Sequence, residues 1–533
     1  MKINPVIWSV VLILGVLSSG TAMAQVCEPS RVQSDLQYLR RLSVDLRGHL
    51  PTLAEMESVV ANGELDPEIV GAMLDSDGFL NRMRAYHKDL RWTNVESQRL
   101  TGVGWTLNAP SEGQSPAYWS AQRALRYRGA AVACLDEPAR FGQDGRILTT
   151  PHPTIEGAVQ DGYVEVEPYW APGTTVKACA FEAQEALEGP SARNPDIMAD
   201  CSSTTGSLGC GCGPNLRWCQ LNANGISTRF SILDSFAEQL MRFSDAVVRG
   251  ERPYTDFILA TDMEVNGPVA HYVAHQARTG GAIFLSTPEQ NYEVPDGLGF
   301  DEDRWVTVER GPRHAGVLTM PAYLIKFQTN RSRANRFYNA FLCQFFEAPP
   351  GGLPPGDDAC NDEPNLTERC GCKFCHVAVE PAAAHWGRYS EAGLGALNEG
   401  LFPTEQPNCA TERGAQQAIC QLFYVTEATH PDEEPYLGFL KPYLFADESM
   451  IDAIEQGPAV LAQEAIDSGQ FGRCTVRKMW RLFMGQDAGV DDEEVIEELF
   501  AEFEANDYNL KALILALVTR PEYVQGQRFA GGE

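Results

Sequence analysis

The sequence Cys372-Lys373-Phe374-Cys375-His376 places two thiols and one imidazole within five residues. Thiols at positions i and i+3 of one helical turn have the spacing needed for thioether bonds to the two vinyl groups of haem. A histidine directly after the second cysteine would then lie beneath the iron as its proximal axial ligand. The motif therefore predicts one covalently bound haem c, attached through Cys372 and Cys375 and ligated by His376.

Two other interpretations of these residues stay open. The two cysteines can form a disulfide, which is the ordinary state of cysteine pairs in exported proteins. They can also form half of a zinc site, although such a site needs a second Cys/His pair, and no distant CxxC or HxxxC pattern is present. Cys370 lies two residues before the motif, and we interpret it as a disulfide partner of Cys360 or of another loop cysteine.

The distal ligand of the iron is less constrained by the sequence. Six-coordinate haem electron carriers use methionine or histidine at this position, and methionine raises the reduction potential. His271 and Met450 are the candidates for the distal position. Met479 and Met484 lie in an apolar helical pattern that is typical of core packing. An open distal position would instead allow peroxide or O₂ to bind.

The N-terminus has the pattern of a secretory signal. Lys2 precedes an apolar run at residues 6–17, and Ala22-Met23-Ala24 matches the small-x-small cleavage pattern. We therefore expect residues 1–24 to be removed and the mature protein to reach the periplasm or the cell surface. No later segment has the eighteen apolar residues expected of a membrane span, so no transmembrane segment is expected after signal cleavage.

The composition is that of an ordinary globular protein. The 533 residues are 44% hydrophobic and 21% charged, with a formal net charge of −30. This excess of acidic residues argues against nucleic acid and against an anionic membrane surface as partners. The sequence does not identify the redox partner protein that an electron carrier would need.

Apolar periodicity predicts helices at both ends of the chain. The clearest predictions are a helix from residue 35, a capping box at Thr52 and Glu55, a helix within 491–503 and a helix at 510–519 capped by Asn509. Between residues 101 and 228 the periodicity fades and cysteines accumulate, and helical character returns from Ser231 toward Gln276. The predicted fold class is mainly α, with multi-helix domains, long disulfide-pinned loops and a cytochrome c-like haem segment.

These patterns predict six successive parts of the chain. They are a signal peptide (1–24), an N-terminal helical domain (25–100), a loop-rich, cysteine-containing insertion (101–228), a helical domain (229–345), a haem-attachment segment with irregular loops (346–445) and a C-terminal helical domain (446–533).

Several further segments carry a family resemblance. They are RRLSVDLRG (40–48) with LPT (50–52), RPYTD (252–256), RHAGVLT (313–319), TNR (329–331), FFEAPP (345–350), CH (375–376) with EP (380–381), FGRC (471–474) and the stretch 508–523. In this order they resemble the planctomycete-type cytochrome c-associated proteins, which are exported haem-motif proteins of planctomycetes and myxobacteria. The resemblance implies export and covalent haem. It supplies no substrate, because members of that family are mostly uncharacterised.

The resemblance covers about two-thirds of the chain and leaves out residues 101–228. The chain also departs from the family pattern after Glu380-Pro381, where residues 382–395 replace the family's usual GFALExFD sequence. The surroundings of the haem therefore cannot be carried over from the family.

Together these features predict electron transfer at the periplasm or the cell surface. Two alternatives stay open because one haem in 533 residues is a low cofactor density for a pure carrier. The first is a haem-dependent peroxidase or oxygenase with an open distal site. The second is a surface structural or binding protein in which Cys372 and Cys375 form a disulfide. The sequence leaves undecided whether the protein is an enzyme.

Overall fold

A computed structural model describes most of the chain beyond the N-terminal segment. The described residues are 34–91, 94–95, 97–98, 100, 106–186, 188–190, 198–200, 209–223, 225–276, 297–346, 359–391, 394–397, 399–400, 402–411 and 415–524. The predicted signal peptide and Cys27 lie outside them. Among the helices of these residues, none combines the length and the apolar character needed to cross a bilayer.

The fold is mainly α. The α-helices of the described residues are α1 (Asp35–Arg47), α2 (Leu53–Asn62), α3 (Pro67–Leu74), α4 (Asp77–Arg91), α5 (Ala121–Tyr127), α6 (Thr228–Arg249), α7 (Asp256–Leu259), α8 (Gly267–His271), α9 (Pro321–Lys326), α10 (Asn330–Phe337), α11 (Lys373–Ala384), α12 (Ala415–Phe423), α13 (Glu448–Gln456), α14 (Pro458–Asp467), α15 (Gln470–Met484), α16 (Glu493–Ala505), α17 (Leu510–Thr519) and α18 (Pro521–Val524). Two π-helical turns, Tyr272–Gln276 and Tyr338–Leu342, directly extend α8 and α10.

The strands are short and form small sheets. They are β1 (Thr106–Leu107), β2 (Arg140–Phe141), β3 (Ile147–Leu148), β4 (Thr150–Pro151), β5 (Val159–Gln160), β6 (Tyr163–Val166), β7 (Val176–Cys179), β8 (Glu188–Pro190), β9 (Met198–Asp200), β10 (Gln220–Ala223), β11 (Ile226–Ser227), β12 (Asp262–Val265) and β13 (Val306–Glu309). β10 pairs in parallel with β1 and antiparallel with β11, and the remaining strands form antiparallel pairs in chain order.

The helices predicted at the two ends of the chain are confirmed, with their caps. The Thr52 side chain accepts the Glu55 N–H, and the Glu55 carboxylate accepts the Thr52 N–H, so the predicted capping box starts α2. The Asn509 side chain likewise accepts the Ala512 N–H at the start of α17. In α1 the buried side chains include Leu39, Leu42 and Leu46, whereas Leu36 is largely exposed.

Residues 229–345 contain one feature that the helical periodicity did not show. Helix α6 begins at Thr228, three residues before the predicted start at Ser231, and its N-cap is Ser227. Beyond α6, β12 pairs antiparallel with β13, which lies about forty residues further along the chain, with Met263 opposite Val308. Met263 and Val308 are both buried, so the pair forms part of the core.

The loop-rich insertion is held by covalent and ionic links. The disulfides Cys134–Cys179 and Cys212–Cys219 lie within it, and β6 (Tyr163–Val166) pairs with β7 there. Arg128 is fully buried and donates to Asp161 at 2.6 Å and to Glu182 at 2.8 Å. Both carboxylates are fully buried as well, so this ion triad ties α5 to the strands.

Two hydrophobic clusters meet at α11. The larger cluster extends from Tyr38 to Tyr523 and includes Ala382, Ala383 and Trp386. A second cluster contains Ala384 with residues of 397–454, among them Tyr424, Met450 and Ile454. The C-terminal half of α11 therefore lies between the two clusters.

The two ends of the described chain are joined. The Arg41 guanidinium lies 3.9 Å from the centre of the Tyr523 ring and donates to the Tyr523 carbonyl, and the Tyr523 hydroxyl donates to Asp45. The Tyr38 hydroxyl donates to the Val518 carbonyl at 2.9 Å. Arg41 and Asp45 belong to the N-terminal segment that carries the family resemblance, so these side chains fasten α1 to the C-terminal helices.

The buried triad gives a test of the insertion. Arg128→Ala leaves two buried carboxylates without their cation, and we expect it to lower the free energy of unfolding by about 3–5 kcal/mol. Chemical denaturation followed by circular dichroism and tryptophan fluorescence measures the loss. Arg146→Ala is the matched control, because the Arg146–Asp144 pair is 84% and 62% exposed and should change stability by about 0.5 kcal/mol or less. Equal losses in the two variants would show that the triad does not stabilise the fold.

Candidate functional site

The motif Cys372-x-x-Cys375-His376 lies at the start of α11. The Lys373 N–H donates to the Arg369 carbonyl, and the Cys375 and His376 N–H groups both donate to the Cys372 carbonyl. These hydrogen bonds form one continuous turn with Cys372 at the N-cap position. The two thiols and the imidazole therefore project from a single helical turn.

Cys372 and Cys375 are thiols in the structure, and both are half-buried. Every other cysteine of the described residues is in a disulfide; the pairs described in full are Cys134–Cys179, Cys212–Cys219, Cys343–Cys474, Cys360–Cys370 and Cys409–Cys420. Of the partners expected for Cys370, which were Cys360 or another loop cysteine, the structure pairs it with Cys360. The odd number of cysteines does not show which of them are in disulfides. In the structure the two cysteines of the motif are in none.

A carboxylate fixes the His376 ring. The His376 Nδ1–H donates to Glu380 Oε1 at 2.5 Å, one helical turn further along α11. The Arg331 Nε–H from α10 donates to the same oxygen at 2.6 Å. An ionised carboxylate only accepts hydrogen bonds, so the proton of the neutral imidazole lies on Nδ1. The Nε2 lone pair then remains for a metal ion.

A cavity of about 920 Å³ lies beside α11. Glu380, Ala383 and Ala384 line it, and His376 stands one turn before Glu380 on the same stripe of the helix. The motif residues Cys372, Cys375 and His376 are not among those that line the cavity. The other walls come from α10 and from segments 364–367, 421–433 and 440–450. The volume lies within the range of sites that hold small molecules and cofactors.

Met450 is part of the cavity wall. It lies on α13, which packs against α11, and its side chain is 8% exposed. Tyr424 and Leu440 of the same hydrophobic cluster line the cavity with it. The structure therefore brings this candidate distal ligand to the cavity that Glu380 lines.

His271 lies in a different environment. Its ring stacks on Tyr169 at 3.9 Å, has Phe300 and His275 as edge-on neighbours, and its Nε2 is 3.0 Å from the Arg217 carbonyl. Burial, with a smaller contribution from His275, lowers the pKa of His271 to about 3, so the ring is neutral at physiological pH. These neighbours belong neither to α11 nor to the cavity wall.

His385, nine residues after His376, and the two methionines of α15 are held by packing and by a backbone contact. The His385 Nδ1 is 2.9 Å from the Gly457 carbonyl, and burial lowers the pKa of this histidine. Met479 and Met484 are buried in the larger hydrophobic cluster, as their helical pattern predicted. Across the part of the chain that the structure describes, no three His, Cys, Asp or Glu side chains are grouped to hold a metal ion by themselves.

The segment that leads to the motif is anchored on α15. Cys343 follows the π-helical turn Tyr338–Leu342 and is bonded to Cys474. The Lys478 ammonium donates to the carbonyls of Asn339 and Ala340 at 3.2 and 2.7 Å. Burial lowers the pKa of Lys478 to about 8, with smaller contributions from nearby arginines. The C-terminal helices thus hold the chain just before residues 347–371.

The C-terminal helices are also where a known family is matched. Residues 456–523 match the family "Protein of unknown function (DUF1585)". This segment, about an eighth of the chain, contains α14 to α17. No curated protein and no solved structure matches the chain. The match is compatible with the resemblance to cytochrome c-associated proteins, and a family of unknown function assigns neither cofactor nor reaction.

Sequence reasoning missed Glu380 and Arg331 as parts of the site. The signal for Glu380 was present, since a carboxylate four residues after a histidine lies on the same face of a helix. Arg331 is 49 residues away in sequence and reaches Glu380 only because α10 packs on α11. Nothing in the local sequence of either helix shows that contact.

The thiol state of the motif can be tested directly. When haem-free protein is kept in a mild reductant that leaves buried disulfides intact, we expect iodoacetamide to label Cys372 and Cys375, because both are half-buried and neither is in a disulfide of the structure. Peptide mass spectrometry locates the label. Cys409 and Cys420 are the internal control and should be labelled only after unfolding and complete reduction, because both are buried and bonded to each other. An oxidised, unlabelled motif peptide would contradict the expectation and favour the disulfide interpretation.

Proposed function

We propose that the protein is an exported monohaem c-type cytochrome-like protein that transfers electrons at the periplasm or the cell surface. Haem c would be attached through Cys372 and Cys375, with His376 as the proximal ligand. One observation carries the proposal: a single turn at the start of α11 presents Cys372, Cys375 and His376 together, and the Nδ1–H of this histidine is bound to the Glu380 carboxylate.

The residues of the motif fit haem c. The two thiols have the i, i+3 spacing on one turn, and the Nε2 of His376 remains available. A metal-ligating histidine commonly donates its other ring N–H to a carboxylate, which is the arrangement of His376 and Glu380. When bound, haem supplies reversible one-electron exchange at its iron. The chain itself contributes attachment, orientation of the imidazole and a partly apolar cavity.

Met450 is the distal ligand that we favour over His271. Met450 lines the cavity beside α11, whereas His271 is surrounded by Tyr169, Phe300 and His275. A thioether ligand stabilises ferrous iron and so raises the reduction potential. A methionine at this position suits an electron carrier better than an enzyme that must bind O₂ or peroxide at the iron.

Export and family resemblance support the proposal. The disulfides of the described residues are typical of proteins that fold in an oxidising compartment, which is also where c-type haem is attached. The resemblance to planctomycete-type cytochrome c-associated proteins includes the haem motif with Glu380-Pro381.

Covalent attachment is the first test. We expect protein exported from a host with c-type maturation machinery to retain haem after denaturation and to give a haemochrome spectrum. Cys372→Ala/Cys375→Ala should lose the haem, because both thioether bonds are removed. Cys409→Ala/Cys420→Ala is the matched control, since it also removes two cysteines but should keep the haem. Folded, secreted wild-type protein without haem would refute the proposal and leave a structural or binding role.

The distal ligand has its own test. We expect Met450→Leu to convert the ferrous haem from low-spin to high-spin and to allow CO to bind, because leucine keeps the volume and removes the sulfur. Optical spectroscopy with and without CO measures both changes. Met479→Leu makes the same substitution in the larger hydrophobic cluster and should leave the spectrum unchanged. If the wild type itself binds CO readily, the peroxidase or oxygenase alternative gains support.

A further inference from the structure

Glu380 connects two helices and the candidate iron ligand through one oxygen atom. Its Oε1 accepts the His376 Nδ1–H at 2.5 Å and the Arg331 Nε–H at 2.6 Å. The Glu380 side chain is 15% exposed, the His376 side chain 25% and the Arg331 side chain 54%. The carboxylate is therefore shielded more than either of its partners, and it lies between them.

We infer that Glu380 is a positioning residue that sets the orientation and the basicity of His376, and that Arg331 holds it in place. This inference rests on the proposed haem attachment. A carboxylate that accepts the Nδ1–H pulls that proton away from the ring and makes Nε2 a stronger electron donor. Stronger donation favours ferric over ferrous iron, so Glu380 lowers the reduction potential.

Arg331 keeps the Glu380 carboxylate in the position from which it orients His376. A half-buried carboxylate beside a histidine alone could rotate toward solvent, where water would satisfy its charge. The Arg331 guanidinium, anchored on α10, offers a charge-assisted hydrogen bond to the same oxygen and fixes the rotamer. Because α10 packs on α11, the relative position of the two helices determines the geometry of the hydrogen bond between Glu380 and the imidazole of His376.

Glu380 and Met450 have opposite effects on the reduction potential of the haem. A methionine ligand stabilises the ferrous state, whereas a proximal histidine bound to a carboxylate stabilises the ferric state. Glu380 would thus offset part of the rise that Met450 brings. The two residues lie on different helices and line the same cavity, so they can be varied separately.

The test is a potentiometric titration of the haem-loaded protein. We expect Glu380→Gln to decrease the ferric-to-ferrous ratio at a fixed potential about tenfold, which corresponds to a rise of about 59 mV for one electron. Glutamine can still accept a hydrogen bond, so this variant removes mainly the charge. Glu380→Ala removes the acceptor as well and should raise the potential further.

Glu391→Gln is the matched control. Glu391 also lines the cavity, but it accepts the Asn330 backbone N–H rather than a proton from His376. If Glu380 acts by its contact with the imidazole, the control variant shifts the potential much less than Glu380→Gln. Equal shifts in the two variants, or no shift in Glu380→Gln, would overturn the inference.

A measurement on haem-free protein separates this inference from the proposed function. In ¹⁵N spectra of the apoprotein near neutral pH we expect His376 to carry its proton on Nδ1, and Glu380→Ala to shift the tautomer population toward Nε2. Absence of haem from the wild type would refute the proposed function and the redox effect together. An Nε2–H tautomer in the wild type would overturn the positioning role even if haem is attached.

Discussion

The C-terminal half of α11 is buried between two hydrophobic clusters, and the geometry of the candidate site depends on that burial. Ala382 and Ala383 pack into the larger cluster, and Ala384 into the second. These side chains are small, so the helices around them approach closely. At Gly387, which follows the helix, an added Cβ would come within 2.7 Å of Ile454 on α13. The first turn of α11 lies outside these clusters, and Cys372 and Cys375 there are half-buried.

Buried arginines allow the irregular chain around α11 to fold without regular secondary structure. Arg333 on α10 is fully buried and donates to the carbonyls of Phe327, Leu324 and Ser390. Buried carbonyls must be paired, and a guanidinium with five N–H groups can satisfy several at once. Burial lowers the pKa of Arg333 to about 10, so it stays charged at physiological pH. Arg331 lies two residues earlier on the same helix and donates to Glu380. Helix α10 therefore both supports the loop after α11 and holds the Glu380 carboxylate.

The parts of the fold that depend on neighbouring residues could be predicted from the sequence. The capping box of α2 and the cap of α17 each join residues three positions apart. The Cys360–Cys370 disulfide, one of the pairings expected for Cys370, joins residues ten positions apart. The β12–β13 pair and the Arg331–Glu380 contact join residues forty or more positions apart, and no local pattern specifies such contacts. The same reason explains why sequence alone could not choose between His271 and Met450. That choice depends on which side chain the fold brings to the cavity beside α11.

The disulfide beside the motif also bears on its chemistry. Cys370, Cys372 and Cys375 lie within six residues, so in an oxidising compartment several pairings compete. Pairing Cys370 with Cys360 leaves Cys372 and Cys375, whose i, i+3 spacing is the one expected of a haem-attachment motif. The turn that follows then presents Cys372 and Cys375 at i and i+3, with His376 directly after them and its ring held by Glu380. The local disulfide limits the competing cysteine pairings and the Glu380 carboxylate orients the imidazole. Together they leave a motif that presents two cysteines and one histidine on a single helical turn.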